Sequence, residues 1–197
     1  MKPILLACAI LAATAGLASA RTVLADGFET ETAGGNAALS KWAVVSGSVD
    51  VVGTGFYPFY GPGRYLDLNG STGTAGRIER VLTGLVAGKT YTLGFDYGVN
   101  PWGATRTERL SFGLGGFEDA IDIRRPAEQL IAVSYSFVAS ASSAVLFFAD
   151  GGTTPGDNGG PVIDNIVVAT VPLPASAPLI LAALGGLGLL RLRRKAA

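Results

Sequence analysis

Short runs of alternating apolar and polar residues, each soon ended by glycine, proline, asparagine or aspartate, constrain this chain more than any other feature. Tyr91, Leu93, Phe95 and Tyr97 share one face of an extended segment, as do Leu110, Phe112 and Leu114, and again Val133, Tyr135 and Phe137. Arg64 to Leu68 alternates cleanly. Gly76 to Leu82 turns Ile78, and then Val81 or Leu82, inward. Trp42 to Val52, Ala144 to Phe148 and Val162 to Val168 complete the set. A period of two is the mark of a half-buried strand. Turn residues separate the runs, and no segment between Arg21 and Thr170 keeps a helical period. Eight or nine short strands in 150 residues predict an all-β domain over 21–170, an antiparallel two-sheet sandwich of jelly-roll type. That length suffices for one well-buried core.

The two ends break the pattern. Lys2 precedes an apolar run from Ile4 to Leu17, and Ala18-Ser19-Ala20 is an A-x-A cleavage site. Residues 1–20 therefore read as a secretory signal peptide, with Arg21 beginning the exported chain. At the other end, residues 176–190 are apolar apart from Ser176, and Arg191, Arg193, Arg194 and Lys195 follow. An apolar helix ending in cations is expected in a membrane with its basic end in the cytoplasm. From Ala175 to Leu190 is 16 residues. At about 1.5 Å per residue that gives a helix of roughly 24 Å, short of a hydrocarbon core of about 30 Å. Snorkelling arginines or later removal of the tail would reconcile the lengths.

Val171-Pro172-Leu173-Pro174-Ala175, the apolar run and the basic cluster together resemble the PEP-CTERM class of sorting signals, in its Val-Pro-Leu-Pro-Ala variant. The resemblance covers residues 171–197. It implies an exosortase-type processing enzyme as partner, a precursor held in the inner membrane, and a product at the cell surface or in the extracellular matrix of a Gram-negative bacterium.

Composition then narrows the chemistry. The chain has no histidine, and its one cysteine, Cys8, lies in the signal. Catalytic triads, Cys–His dyads and Cys/His zinc sites are excluded, and the exported part has no disulfide. Formal net charge is zero for the whole chain, yet residues 21–170 hold ten Lys/Arg and all fifteen Asp/Glu, a net −5. An acidic domain argues against nucleic acid as a partner.

Within the domain, Asp26-Gly-Phe-Glu29, Trp42, Ser46-Gly-Ser-Val-Asp50, Leu66-Asp-Leu-Asn-Gly70, Val86-Ala-Gly-Lys-Thr-Tyr91 and Gly160-Pro-Val-Ile-Asp-Asn-Ile166 occur in one order. This order resembles the choice-of-anchor C family of bacterial surface domains, which is related to galactose-binding-like jelly rolls. The opening Gly-Phe-Glu and closing Ile-Asp-Asn also resemble the ends of several carbohydrate-binding modules. In those, first and last strands lie together and carboxylates from both hold a structural Ca²⁺. Carried over, Glu29 and Asp164 are expected ligands, with Asp26 or backbone carbonyls nearby. Ca²⁺ suits such hard oxygen donors.

Exposed aromatics are the natural seat for a sugar, because flat side chains stack on C–H faces and a few polar groups fix orientation. The glycine-rich segment 53–63 supplies Tyr57, Phe59 and Tyr60; the segment 100–107 supplies Trp102, with Asn100 and Arg106 as hydrogen-bonding groups. Arg64 is a further donor, whereas Trp42 is expected in the core. Asp150, Asp157 and Asn158 form a looser oxygen cluster that reads as solvated loop. The function expected is a non-catalytic, surface-sorted module that binds glycan or extracellular polysaccharide. The alternatives are a structural matrix or biofilm component with no discrete ligand, and a glycoside hydrolase using a carboxylate pair drawn from Asp67, Asp96 and Glu108.

Overall fold

A computed structural model describes residues 20–102, 107–124, 129–152 and 158–171. The expected signal peptide, the expected sorting tail beyond Val171, Arg106 and Asp157 lie outside the described residues. Thr22–Thr170 form one compact unit; of the chain flanking it, only Ala20, Arg21 and Val171 are described.

The described residues contain strands and no helix, so none is long and apolar enough to cross a membrane. The strands are β1 (Thr22–Asp26), β2 (Ala43–Ser46), β3 (Asp50–Gly53), β4 (Arg64–Asp67), β5 (Arg77–Thr83), β6 (Thr90–Val99), β7 (Thr107–Leu114), β8 (Phe117–Arg124), β9 (Ile131–Val138), β10 (Ser143–Asp150) and β11 (Pro161–Thr170). One sheet has the order β3-β4-β11-β6-β9, with β1 also paired to β11. The other has the order β2-β5-β10-β7-β8. Every pairing is antiparallel. From β4 onward the chain passes between sheets so that β4-β11-β6-β9 faces β5-β10-β7-β8, which is the jelly-roll order.

The expected architecture is thus present, with eleven strands rather than eight or nine. Trp42–Val52 is not one strand. Gly47, at φ 59°, turns the chain so that β2 joins one sheet and β3 the other. A Cβ there would meet the Ala75 carbonyl oxygen at 2.0 Å, so the crossing needs glycine. The edge strand β8 escaped notice because Glu118, Asp119 and Asp122 interrupt its apolar phase. Its hairpin signal is plain: Gly115 and Gly116 both have positive φ, as a two-residue turn between twisted strands demands.

The core lies between the sheets and is aromatic at its centre. Phe95 meets Phe112 and Phe148 at centroid distances of 4.9 and 5.1 Å, edge to face. Trp42 joins Phe148 at 6.1 Å and is 4% exposed, the core position expected of it. Val133, Tyr135 and Phe137 turn inward from β9, as their spacing requires. Alternation then sends the neighbours of core residues outward. Val52, Tyr65 and Val162 stand beside Val51, Leu66 and Ile163 but on the opposite side of the six-stranded sheet, where they form a second buried cluster with Phe59, Tyr60 and Leu130. That outer-face cluster positions the candidate site.

Candidate functional site

The segment between β3 and β4 folds back over the outer face. Gly53 and Phe56 exchange backbone hydrogen bonds at 2.9 and 2.8 Å, which tightens its start. Tyr57 takes a left-handed φ of 52°, a conformation an aromatic residue adopts only when its surroundings hold it there. Further on, the Tyr65 hydroxyl accepts from Tyr60 N at 2.8 Å. The Tyr60 hydroxyl donates to Val99 O at 2.6 Å and accepts from Val99 N at 2.9 Å. Gly98 leaves the space for that hydroxyl, since a Cβ there would lie 2.7 Å from it. The segment is thereby stitched to the end of β6, next to Asn100 and Trp102.

The result is a cavity of about 310 Å³. Phe56, Tyr57, Phe59 and Trp102 form its aromatic walls, Asp50, Val52 and Asp67 face it from the sheet, and Ser71, Asn100 and Asn158 complete it. Trp102 is 62% exposed and Tyr57 52%. Their rings meet at 4.5 Å and 79°, while Phe56–Tyr57 and Phe59–Trp102 meet at 66° and 55°. Asn100 links the parts: its Nδ2 donates to Asp67 Oδ2 at 2.7 Å and to Asn158 O at 3.1 Å, and its Oδ1 accepts from Trp102 N at 2.9 Å.

Of the residues expected to bind sugar, the fold brings Tyr57, Phe59, Trp102 and Asn100 to one cavity. Tyr60 is close by but serves as a brace, with its hydroxyl on Val99 and its ring on Phe59 and Tyr65. Arg106 lies outside the described residues, and Arg64 is absent from the cavity lining. Asp50 and Asp67 were missed as binding groups. Their signal was available: in Asp50-Val-Val and Tyr65-Leu-Asp each acid is in phase with an outward residue.

Asp67 is 1% exposed, and its carboxyl is pushed up to about 7. Burial is the main cause and the charge of Asp50 adds to it, against hydrogen bonds from Asn69 N, Asn100 Nδ2 and Gly160 N that favour the ionised form. Asp50 accepts from Asn36 N, Ser71 N and Ser71 Oγ at 2.7, 2.9 and 2.7 Å. Of the other acids weighed for catalysis, Glu108 is buried on β7, while Asp96 pairs with Asp164 across β6 and β11.

The residues expected to hold calcium lie on and just after β1 and on β11, strands that pair with each other. Asp164 sits at a bulge whose next residue, Asn165, has φ 49°. Its carboxyl is also pushed up to about 7, first by burial and then by the charges of Asp96, Glu29 and Asp26. A cation there would relieve that repulsion, so Asp164 and Glu29 suit one chemically. Asp26 does not belong with them. Its Oδ1 accepts from Phe28 N at 3.2 Å and lies 3.8 Å from Lys41 Nζ, and its Oδ2 takes Trp42 Nε1 at 3.2 Å and Arg80 Nη1 at 3.0 Å. Two bases already neutralise it, and it ties the first turn to the core. Among the described residues no three acidic side chains converge into a ready metal cage.

No protein-family model matches this chain, and no curated protein matches it significantly. Solved structures do. The CBM22-1 xylan-binding domain of Paenibacillus barcinonensis Xyn10C is similar with a TM-score of 0.50 and 14% identity, over 79% of this chain and 98% of that one. TmCBM61, solved in complex with β-1,4-galactotriose, is similar with a TM-score of 0.50 and 18% identity, over 75% and 97%. The arabinose-bound α-L-arabinofuranosidase MgGH51 gives a TM-score of 0.54 and 17% identity, over 80% of this chain, which spans 27% of that enzyme's length. These likenesses show the fold, a jelly-roll sandwich of the kind used by carbohydrate-binding modules.

Proposed function

We propose that this protein is a non-catalytic glycan-binding module that is exported and sorted to the cell surface. The observation that carries the reading is the cavity walled by Phe56, Tyr57, Phe59 and Trp102 with acceptors and an amide on its sheet side. Apolar walls with a few convergent polar groups suit a sugar ring. Two solved modules of the same fold are described as xylan-binding and as bound to galactotriose, which supports the reading. Asp50 and Asp67 would serve as binding acceptors, each held in position by neutral donors.

Residues 1–20 act as the export signal, and Val171–Ala175 with the basic cluster ending at Lys195 as the sorting tail, read by an exosortase-type enzyme at the inner membrane. Glu29 and Asp164, completed by backbone carbonyls, would hold a structural Ca²⁺. The ion would supply a counter-charge that ties the first and last strands together in a domain without disulfides.

The test is a calorimetric titration with a panel of oligosaccharides, alongside melting curves. Trp102→Ala weakens binding about tenfold or more, the loss of one stacked aromatic, with little change in melting temperature. Equal loss of stability and binding would assign Trp102 to packing and overturn the site.

A further inference from the structure

The same cavity has a charge pattern that narrows its ligand. Asp50 and Asp67 are register partners on β3 and β4, and both project to the outer face. Partners directly across an antiparallel pair have Cβ atoms about 4.5–5.5 Å apart, where like charges are unfavourable. Among the described residues neither acid has an ion-pair partner, and no Lys or Arg lines the cavity. Every donor they receive from the described residues is neutral: the amides of Asn36, Ser71, Asn69 and Gly160, the Ser71 hydroxyl and the Asn100 carboxamide. Other acids of the domain do meet bases, as Asp26 meets Arg80 and Asp122 meets Arg109.

The aromatic walls carry the same preference. Their rings cross at 55° to 79°, so they line the cavity without forming one flat platform. An aromatic ring face attracts a cation, the more so when it is desolvated. A carboxylate then adds a charge-assisted hydrogen bond. The high proton affinity of Asp67 has the same origin, an acid buried beside another with no counter-charge among the described residues. A sugar with hydroxyls alone leaves that deficit in place, and a uronic acid deepens it.

We infer that the cavity takes a glycan carrying a protonated primary amine, a glucosamine-type residue of a partly deacetylated polysaccharide, in preference to the N-acetylated, neutral or uronic-acid counterpart. The inference rests on the glycan-binding reading and narrows it. The ammonium lies between the aromatic rings and the Asp50–Asp67 pair, while Asn100 and Ser71 meet hydroxyls.

The experiment titrates the metal-free protein with chitosan oligosaccharide, its N-acetylated form, cello-oligosaccharide and oligogalacturonate, in a buffer where the amine is charged and chelator is present. The amine-bearing ligand is expected to bind about tenfold or more tighter than its N-acetylated form, the size of a hydrogen bond to a charged group, and oligogalacturonate weakest. Asp50→Asn should bring the first two affinities within about threefold. Asparagine can keep the local bonds, its Oδ1 accepting from Asn36 N and Ser71 N while its amide donates to the Ser71 hydroxyl. If that variant is unstable, salt serves instead, because the amine preference of the native protein should shrink as salt rises. Equal affinity for amine and N-acetyl ligands, a salt-independent ratio, or a ratio unmoved by Asp50→Asn overturns the inference while glycan binding stands. Absence of binding to all four overturns both.

Discussion

At the residue scale the protein separates side chains that hold structure from side chains that meet solvent, even when they are neighbours. Tyr60 and Trp102 make the contrast. The Tyr60 hydroxyl serves both the N–H and the C=O of Val99. Tyr60→Phe should therefore cost about 1–3 kcal/mol of stability in a denaturant titration, the penalty for leaving such groups unpaired. Trp102→Ala should cost little stability and much binding. A reversed result would exchange their roles. Asp67 offers a second test. Its carboxyl ordinarily titrates at 3.8 and is pushed up to about 7 in the fold. The folded state thus binds this proton more tightly than the unfolded chain. Stability tied to it is fully present below pH 3.8, declines as pH rises toward about 7, and is gone above that. Asp164 has the same shift and acts in the same direction. Melting temperature, followed across that window in chelator, should fall with rising pH, and Asp67→Asn should make the fall shallower. A flat profile would mean that Asp67 is not buried as described. These roles were only partly legible from sequence. Tyr57, Phe59, Asn100 and Trp102 could be named because aromatics and an amide in glycine- and proline-rich segments stand outside the alternating core pattern. Asp26 could not be separated from Glu29, because only the fold shows Arg80 and Lys41 reaching it.

At the element scale, the strands legible in the sequence were those whose two faces differ. β6, β7 and β9 bury one face in a regular alternation, and their phase reads directly. β8 is an edge strand with acids on it, and β1 is a short strand whose partner, β11, lies at the far end of the chain. In neither does local pattern outweigh context. The segment 54–63 was legible as aromatic and glycine-rich, yet its fold-back across the sheet depends on Val52, Tyr65, Val162 and Gly98, which are scattered along the chain. Gly98→Ala tests that dependence. The added Cβ would press on the Tyr60 hydroxyl at 2.7 Å, so the variant should lose about 1–3 kcal/mol, the usual cost of overpacking, and bind oligosaccharide more weakly. Unchanged stability and affinity would show that the brace does not hold the site. In the main core, Phe112→Ala should cost about 3–5 kcal/mol in the same titration, because Phe95 and Phe148 cannot both close the gap.

For the whole molecule, an acidic jelly roll with no histidine or cysteine between residues 21 and 170 has few sources of stability beyond its core. A cation between Glu29 and Asp164 would add one. Calcium should raise the melting temperature and chelator should lower it, while Glu29→Gln and Asp164→Asn abolish the difference; a melting temperature indifferent to chelator would remove the ion from the account. The outer face of the six-stranded sheet, with Asp50, Asp67, Asp96 and Asp164, sets the field in which any ligand is chosen. The central claim is that glycan meets the protein on that face, between the segment after β3 and Trp102. It is tested most directly by mapping amide and aromatic NMR shifts during titration with oligosaccharide. The largest changes are expected at Tyr57, Phe59, Asn100 and Trp102, with the five-stranded sheet undisturbed. Shifts concentrated around Phe147 and Arg77 on the other sheet, or none with any saccharide, would contradict it.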